Sequence, residues 1–360
     1  MALASNSEWL ESFYQAASKQ AKQQNLPGFA LVVVDKAGPT QIKTYGRAHK
    51  TGHKIDENTV FRLASVSKTF TAGLIARQDA ARSLDWQTPL VSLLPDYKFD
   101  KYQKSPILLR HLIGQSTGYT PNAYDNLIEA NYSLDRVLKH LVKLEPICKP
   151  GYCYTYQNTL FGALEKYYLN KGTSYAEQLT SHLIKPLKMP NASIGKQALI
   201  DSPEWAQPHV AIDRKKWAKV RVKDDYYRFS PAAGVNASAS DMAIWLEAML
   251  GMHPAVISEK MIKELTQPRV KTVNELRRRG WRQSMRSAHY GLGWRVYNFN
   301  GVTINYHGGW VQGYRADVAF APSLGVGYAM LMNAESNLIN HMTADFWREQ
   351  IKQKRLLAKR

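Results

Sequence analysis

Hydrophobic positions along the chain change their period several times, and the changes mark out the elements. Residues 29–34 read Phe-Ala-Leu-Val-Val-Val, a short apolar run rich in β-branched residues that follows Pro27-Gly28. Residues 41–46 follow a Gly-Pro turn, and the two runs together predict an antiparallel hairpin. From residue 65 to 81 the pattern turns helical: Phe70, Leu74 and Ala81 recur at helical spacings, and no proline interrupts them. The middle, about 86–200, shows helical periodicity punctuated by Pro and Gly. Strand-like runs return at 302–306, 316–321 and 327–332, ahead of an amphipathic helix near 344–354. The two chain ends are therefore expected to share one sheet, with the helical middle inserted into it. That arrangement predicts an α/β domain (1–85 and 230–360) plus a mainly helical domain (86–229), with a cleft between them.

Composition supports a globular chain of 360 residues, 44% hydrophobic and 21% charged. No apolar stretch approaches the roughly 20 residues that cross a bilayer, and residues 1–7 lack the basic and apolar regions of a secretory signal. The chain as it stands reads as soluble and compatible with the cytoplasm; removal of a leader would instead place it in the periplasm or outside the cell. Lys plus Arg number 48 against 29 Asp plus Glu, a formal charge of +19. Such a charge draws polyanions or an anionic membrane surface. The basic residues are spread along the chain and no nucleic-acid module signature is present, so nucleic acid is not an expected partner and a solvated surface is favoured, with peripheral contact to an anionic surface left open. Local concentrations lie at 214–223 and 277–286, which contain Trp217 and Trp281, and at 352–360. Cys148 and Cys153 bracket Lys-Pro-Gly-Tyr. They are too few for a zinc site; an oxidising compartment favours a small disulfide there, a reducing one two thiols.

Candidate chemistry gathers in three places. Ser65-Val66-Ser67-Lys68 opens the first strong helix, where positions three apart share a face, so the Lys68 amine can reach the Ser65 hydroxyl and take its proton when burial keeps it neutral. A second Ser-x-x-Lys, at Ser193 and Lys196, lies among Pro190, Asn191 and Gly195 in turn-like sequence, so its two side chains need not face each other. Tyr156-Gln157-Asn158 follows the cysteine-bracketed turn; a phenol near an ammonium ionises more easily, and an Asn amide can hold both a lysine and a substrate carbonyl. Tyr306-His307-Gly308-Gly309-Trp310 follows a strand-like run, and its glycines permit the close backbone approach of a strand that binds an extended substrate.

In this order and at about these spacings, Ser65-x-x-Lys68, Tyr156-x-Asn158 and His307-Gly308-Gly309 resemble the three signature motifs of the penicillin-recognising serine hydrolases: class C β-lactamases, D,D-peptidases and family VIII esterases. Phe61-Arg62-Leu63-Ala64 before Ser65, the segment from Leu84-Asp85 to Leu94-Pro95, Leu109-Arg110-His111-Leu112 with Ser116-Thr117-Gly118, Pro186-Leu187-Lys188-Met189, and the stretch from Ala233-Gly234-Val235 to Asp241-Met242 are similar too. The likeness spans about residues 25–335. It implies a β-lactamase-like fold, an antiparallel sheet flanked by helices with an inserted helical domain, and an acyl-enzyme on Ser65. Lys68 and Tyr156 would share the base role, Asn158 would position substrate, the backbone N–H groups of Ser65 and Trp310 would form the oxyanion site, and Asn333 would help hold a substrate carboxylate. Neither metal nor organic cofactor is implied. The chain departs from class C at the third motif, where His307 and Gly308 replace a lysine and a hydroxyl residue; His-x-Gly is commoner among the superfamily's esterases and D-amino-acid peptidases. The expected substrate is a small molecule or peptide with a reactive carbonyl, a β-lactam or D-amino-acid peptide, with a carboxylesterase as the alternative. From another class, the alternative is a catalytically idle relative that binds peptidoglycan or another polyanion.

Overall fold

The computed structural model describes residues 2–99 and 104–357, so the last residues of the basic run at 352–360 lie outside the description. Its principal elements are α1 (Ala2–Gln23), β1 (Gly28–Asp35), β2 (Gln41–Gly46), α2 (Ser67–Ala80), α3 (Asn158–Asn170), α4 (Ala239–Met249), β3 (Val270–Lys271), β4 (Met285–Tyr290), β5 (Arg295–Phe299), β6 (Val302–Val311), β7 (Tyr314–Ala321), β8 (Val326–Met332) and α5 (Leu338–Leu357).

The eight strands form one antiparallel sheet in the order β2-β1-β8-β7-β6-β5-β4-β3. Strands from the two chain ends meet where β1 pairs with β8, Leu31 opposite Met330. Burial on both faces explains why β1 is apolar without alternation. Ala30, Val32 and Val34 enter the core that holds Phe70 and Leu74 of α2 and Trp245 of α4. Phe29, Leu31 and Val33 enter the opposite core with Leu10 and Phe13 of α1 and Phe346 and Trp347 of α5. At Gly327 an added Cβ would come within 3.0 Å of Leu246, so α4 rests directly on the sheet there. Helix α5 starts ahead of the expected 344 because Leu338, Ile339 and Met342 already carry its buried stripe.

Helix α2 is buried nearly all round, which marks a central helix rather than a surface one. Phe70 stacks on Trp245 with ring centroids 4.4 Å apart. Just before it, Phe61–Arg62 pairs with Val235–Ala237, and that strand also pairs with Ser193–Ile194. The approach to Ser65 is thereby tied to two separate stretches of chain.

Candidate active site

Ser65 sits in a single 3-10 turn, Ala64–Val66, that runs into α2. Ala64 adopts φ 50°, a left-handed conformation that costs a non-glycine residue about 1–3 kcal/mol and lifts the turn out of the helix line. The helix predicted from residue 65 therefore begins at Ser67, and Ser65 projects from the strained turn in front of it. The Lys68 ammonium is fully buried, and its three protons go to Ser65 Oγ (3.2 Å), Asn158 Oδ1 (2.7 Å) and the Ala232 carbonyl (3.0 Å). Burial lowers the lysine from 10.5 to about 7; the charge of Asp125 opposes the shift and that of Arg295 adds to it. Near neutral pH a substantial fraction of Lys68 can therefore accept a proton.

Tyr156 Oη donates to Ser65 Oγ at 2.8 Å. Its phenol does not ionise easily, contrary to the sequence expectation: burial raises it to about 12, with the Ser65 hydrogen bond and the Arg295 charge only partly offsetting the rise. Tyr156 is thus a neutral proton donor at rest, and of the two it is Lys68 that can accept a proton near neutral pH. The segment carrying Tyr156 is clamped by Gln115, which is buried, accepts from the Gln157 N–H at 2.6 Å and takes the Thr155 N–H on its own carbonyl at 2.7 Å. Upstream, Cys148 and Cys153 are joined by a disulfide with Cα atoms 6.3 Å apart.

Asn158 opens α3. Its Nδ2 donates to Asp125 Oδ2 at 2.8 Å, while Oδ1 of that aspartate is buried without a hydrogen-bond partner. Burial raises Asp125 to about 6, against the Asn158 hydrogen bond and the Lys68 charge.

Strand β6 forms the other wall. Its Gly309 approaches the Ser65 turn so closely that an added Cβ would lie 2.2 Å from the Leu63 carbonyl oxygen and 3.2 Å from the Ser65 nitrogen. Strand β5 pairs only with residues 302–306, so residues 307–311 have an edge free of a strand neighbour among the described residues. The two-residue turn Asn300-Gly301 makes Phe299 and Val302 a hydrogen-bonded pair. By the strand's period of two, the N–H groups of Gly308 and Trp310, on the same side as that of the paired Tyr306, point to the open edge. The N–H groups of Ser65 and Trp310 consequently flank one space beside Ser65 Oγ, a suitable place for a developing oxyanion. The Trp310 ring is 64% exposed at the mouth, its Nε1 donating to Glu335 at 2.6 Å.

A family comparison agrees with this geometry: the family model described as Beta-lactamase matches residues 13–350. The chain belongs to the Beta-lactamase family. Its fold is the β-lactamase-like one. The chain is similar to an unguisins hydrolase of Aspergillus campestris, 22% identical over 91% of this chain and 61% of that protein, and to a β-lactamase of Yersinia enterocolitica, 26% identical over 77% and 66%. The alignments thus span less than two thirds of these relatives' own lengths. Among solved structures, the octameric penicillin-binding protein homologue of Pyrococcus abyssi superposes with TM-score 0.79 at 18% identity, covering 94% of this chain and 77% of that one. The D-amino acid amidase of Ochrobactrum anthropi superposes with TM-score 0.75 at 16% identity, covering 96% and 99%. The hydrolase EstCE1 gives 0.76 at 17% identity, covering 93% and 97%.

Within this family member, two residues assigned to substrate have other partners. His307 is 1% exposed: the Gly308 carbonyl, 2.9 Å from Nδ1, must accept from it, so Nε2 accepts from the Tyr290 hydroxyl at 3.1 Å. Burial and then the charges of Arg295 and Lys68 hold it well below 6.5. His307 is neutral and bonded at both ring nitrogens, so it does not present a charge to a carboxylate. Asn333, fully buried, donates from Nδ2 to the carbonyls of Arg47 and Ala48 at 3.2 and 3.0 Å, so it pins that loop and does not hold substrate. Gly308 faces away from Ser65, since a Cβ there would meet the Tyr306 hydroxyl at 2.4 Å. The second Ser-x-x-Lys is split as its turn-like sequence implied: Lys196 pairs with Asp224 at 2.9 Å and Ser193 Oγ accepts from Asn236.

Sequence reasoning missed Asp125, Gln115, Tyr290 and Arg295. Arg295 pairs with Glu275 at 2.8 Å, and its guanidinium lies 5.9 Å from the Tyr156 ring centre. It lines a cavity of about 410 Å³ beside Gly308 and Trp310, together with Arg278 and Arg315.

Proposed function

We propose that the chain hydrolyses amide or ester bonds of small substrates, D-amino-acid peptides or amides and simple esters, through an acyl-enzyme on Ser65. The contact of the Lys68 amine, lowered to about 7, with Ser65 Oγ at 3.2 Å carries the proposal. Neutral Lys68 takes the Ser65 proton as Oγ bonds to the carbonyl carbon, and the oxyanion rests between the N–H groups of Ser65 and Trp310. When the tetrahedral adduct collapses, Tyr156 gives its proton to the departing nitrogen or oxygen and regains one from Lys68, whose Nζ lies 4.8 Å from its ring centre. Water then attacks the ester, its proton passing to Lys68 or Tyr156 and from there to Ser65 Oγ as the acyl–oxygen bond breaks and the free hydroxyl is restored.

The ester reading is favoured by His307. A neutral, fully bonded imidazole leaves the third motif without a cation, and the nearby arginines are engaged: Arg295 with Glu275, Arg278 with the Tyr306 hydroxyl, Arg315 with Asn337. Substrates that depend on a carboxylate anchor, β-lactams among them, should therefore be turned over slowly. A fluorophosphonate probe followed by intact mass should add one label, absent in Ser65→Ala. A panel of nitrophenyl butyrate, D-alanine nitroanilide and nitrocefin should rank in favour of the first two. Labelling that persists in Ser65→Ala or moves to Ser193 would overturn the assignment, and a protein that neither labels nor hydrolyses would be an idle relative.

A further inference from the structure

A cavity of about 760 Å³ lies between the start of the sheet and the hairpin His209–Asp213/Lys216–Lys219. None of the Ser65 cluster lines it. Its rim carries Arg47, Lys50, Lys215 and Lys216, and no Asp or Glu is among the described residues lining it. Its apolar wall comes from Pro27, Ile212 and Trp217. Asp213, next to Ile212 in the hairpin, is paired with Lys216 at 3.2 Å, and no carboxylate among the described lining residues faces the other three cations.

The cavity is held in shape from below. Trp217 Nε1 donates to the Gln24 carbonyl at 2.9 Å and Asn25 Nδ2 to the Lys215 carbonyl at 3.2 Å, so the hairpin is fastened to the α1–β1 junction. On the opposite side, Asn333 grips the Arg47 and Ala48 carbonyls and the His209 N–H reaches the Asn333 carbonyl at 3.1 Å. Ile212, 65% exposed, adds aliphatic surface beside the Trp217 indole and Pro27 in the same opening. Aliphatic and indole surface beneath a ring of cations suits a ligand with one anionic group and an apolar body, and the chain's charge of +19 adds long-range attraction for it.

We infer that this cavity binds an amphiphilic anion, its charged head among Arg47, Lys50 and Lys215 and its apolar body against Ile212 and Trp217. The site is independent of the hydrolytic one. Calorimetric titration with decanoate below its micellar concentration should give saturable one-to-one binding that decanol does not reproduce. The double variant Lys50→Glu/Lys215→Glu should weaken decanoate by more than about tenfold, and Ile212→Asp should do the same. Both should keep wild-type ester hydrolysis, which also shows that they fold. Binding should survive fluorophosphonate labelling of Ser65. Vesicles of phosphatidylglycerol in phosphatidylcholine separate the sources: retention of wild type and release of the variants would extend the site to a bilayer lipid. Decanoate binding that is absent, shared equally by decanol, lost on labelling Ser65 or unchanged in both variants would overturn the inference, as would vesicle binding without decanoate binding.

Discussion

Asp125 dictates which way round the Asn158 amide sits. A carboxylate can only accept, so at 2.8 Å it fixes Nδ2 towards itself and turns Oδ1 to the Lys68 ammonium. The aspartate also acts on Lys68 at a distance, its negative charge opposing the burial that lowers the lysine. Replacing it by asparagine removes the charge and lets the amide flip.

Asp125→Asn should therefore shift the acid limb of the kcat/KM profile, set by Lys68 near pH 7, to lower pH. It should also lower kcat by about 10–10², the usual scale for misplacing a catalytic contact. Initial rates on a nitrophenyl ester from pH 5 to 9 test this. An acid limb that stays put with kcat intact would show that Asp125 is merely structural.

Lys68 leaves a mark on stability as well. Its proton is bound in the unfolded chain up to 10.5 but released in the folded one at about 7, so between those values the unfolded state holds more protons and stability rises with pH. Wild type should gain on Lys68→Met by about 1 kcal/mol per pH unit over that window. Asp125 works the other way: raised to about 6, it favours the folded state most at low pH and loses that contribution as pH climbs from 3.8 through 6. Urea melts of both proteins at pH 7 and 9.5 measure the difference, and parallel curves would mean that Lys68 is charged in the folded protein.

The parts of the site legible in the sequence were those set by local spacing. Ser65 and Lys68 three apart at a helix entrance, Tyr156 and Asn158 flanking one residue, and two glycines after a strand each constrain geometry within a few residues. Asp125 and Arg295 carry no such local signal. They are single charges among many, and only tertiary packing brings Asp125 to Asn158 and Arg295 to Tyr156. Burial, which decides that Tyr156 is a neutral phenol and His307 a neutral imidazole, is likewise invisible in a motif. Among elements, β1 was plain because both its faces are apolar, whereas β4 alternates weakly through Arg286, Ser287 and His289 near the sheet margin. Helix α1 escaped because half of its buried stripe, Leu10, Phe13, Ala17 and Ala21, is alanine.

The Cys148–Cys153 bridge should add modest stability. Closing so short a loop is worth about 2 kcal/mol on the chain-entropy model. Gln115 holds the Tyr156 segment independently through two backbone contacts, so kcat should change by only a few-fold. Denaturation of wild type and Cys148→Ser/Cys153→Ser without reductant tests both claims; equal midpoints would remove the bridge from the stability account.

His307→Lys should not create a better β-lactamase. The ammonium would replace a neutral ring that accepts from Tyr290, in a buried slot already facing Arg295 and Lys68, and should cost a few kcal/mol of stability. Burial and the charges of Arg295 and Lys68, which already face the slot, would hold the new amine largely neutral. The ratio of nitrocefin to nitrophenyl ester turnover should therefore match wild type at pH 6 and pH 8. A tenfold gain on nitrocefin would show that the side chain reaches the substrate carboxylate after all.

Gly309 and Gly308 are neighbours with opposite consequences, because successive residues of a strand face opposite sides. A Cβ on Gly309 would press on the Leu63 carbonyl oxygen at 2.2 Å and the Ser65 nitrogen at 3.2 Å. Those are backbone atoms of an already strained turn and cannot swing aside, so Ser65 or the strand must move and the two N–H donors lose their common focus. Losing one such donor typically costs 10²–10³ in rate, so Gly309→Ala should lower kcat by about that factor. A Cβ on Gly308 would instead meet the Tyr306 hydroxyl at 2.4 Å, on the far side of the sheet, where Tyr306 is held between Arg278 and Asp317. Displacing that hydroxyl disturbs a buried network and should lower the melting temperature more than it lowers kcat. Measuring kcat and Tm for both variants decides the matter: a Gly308→Ala protein with the greater catalytic loss would mean that the oxyanion is not held where Gly309 crosses Ser65.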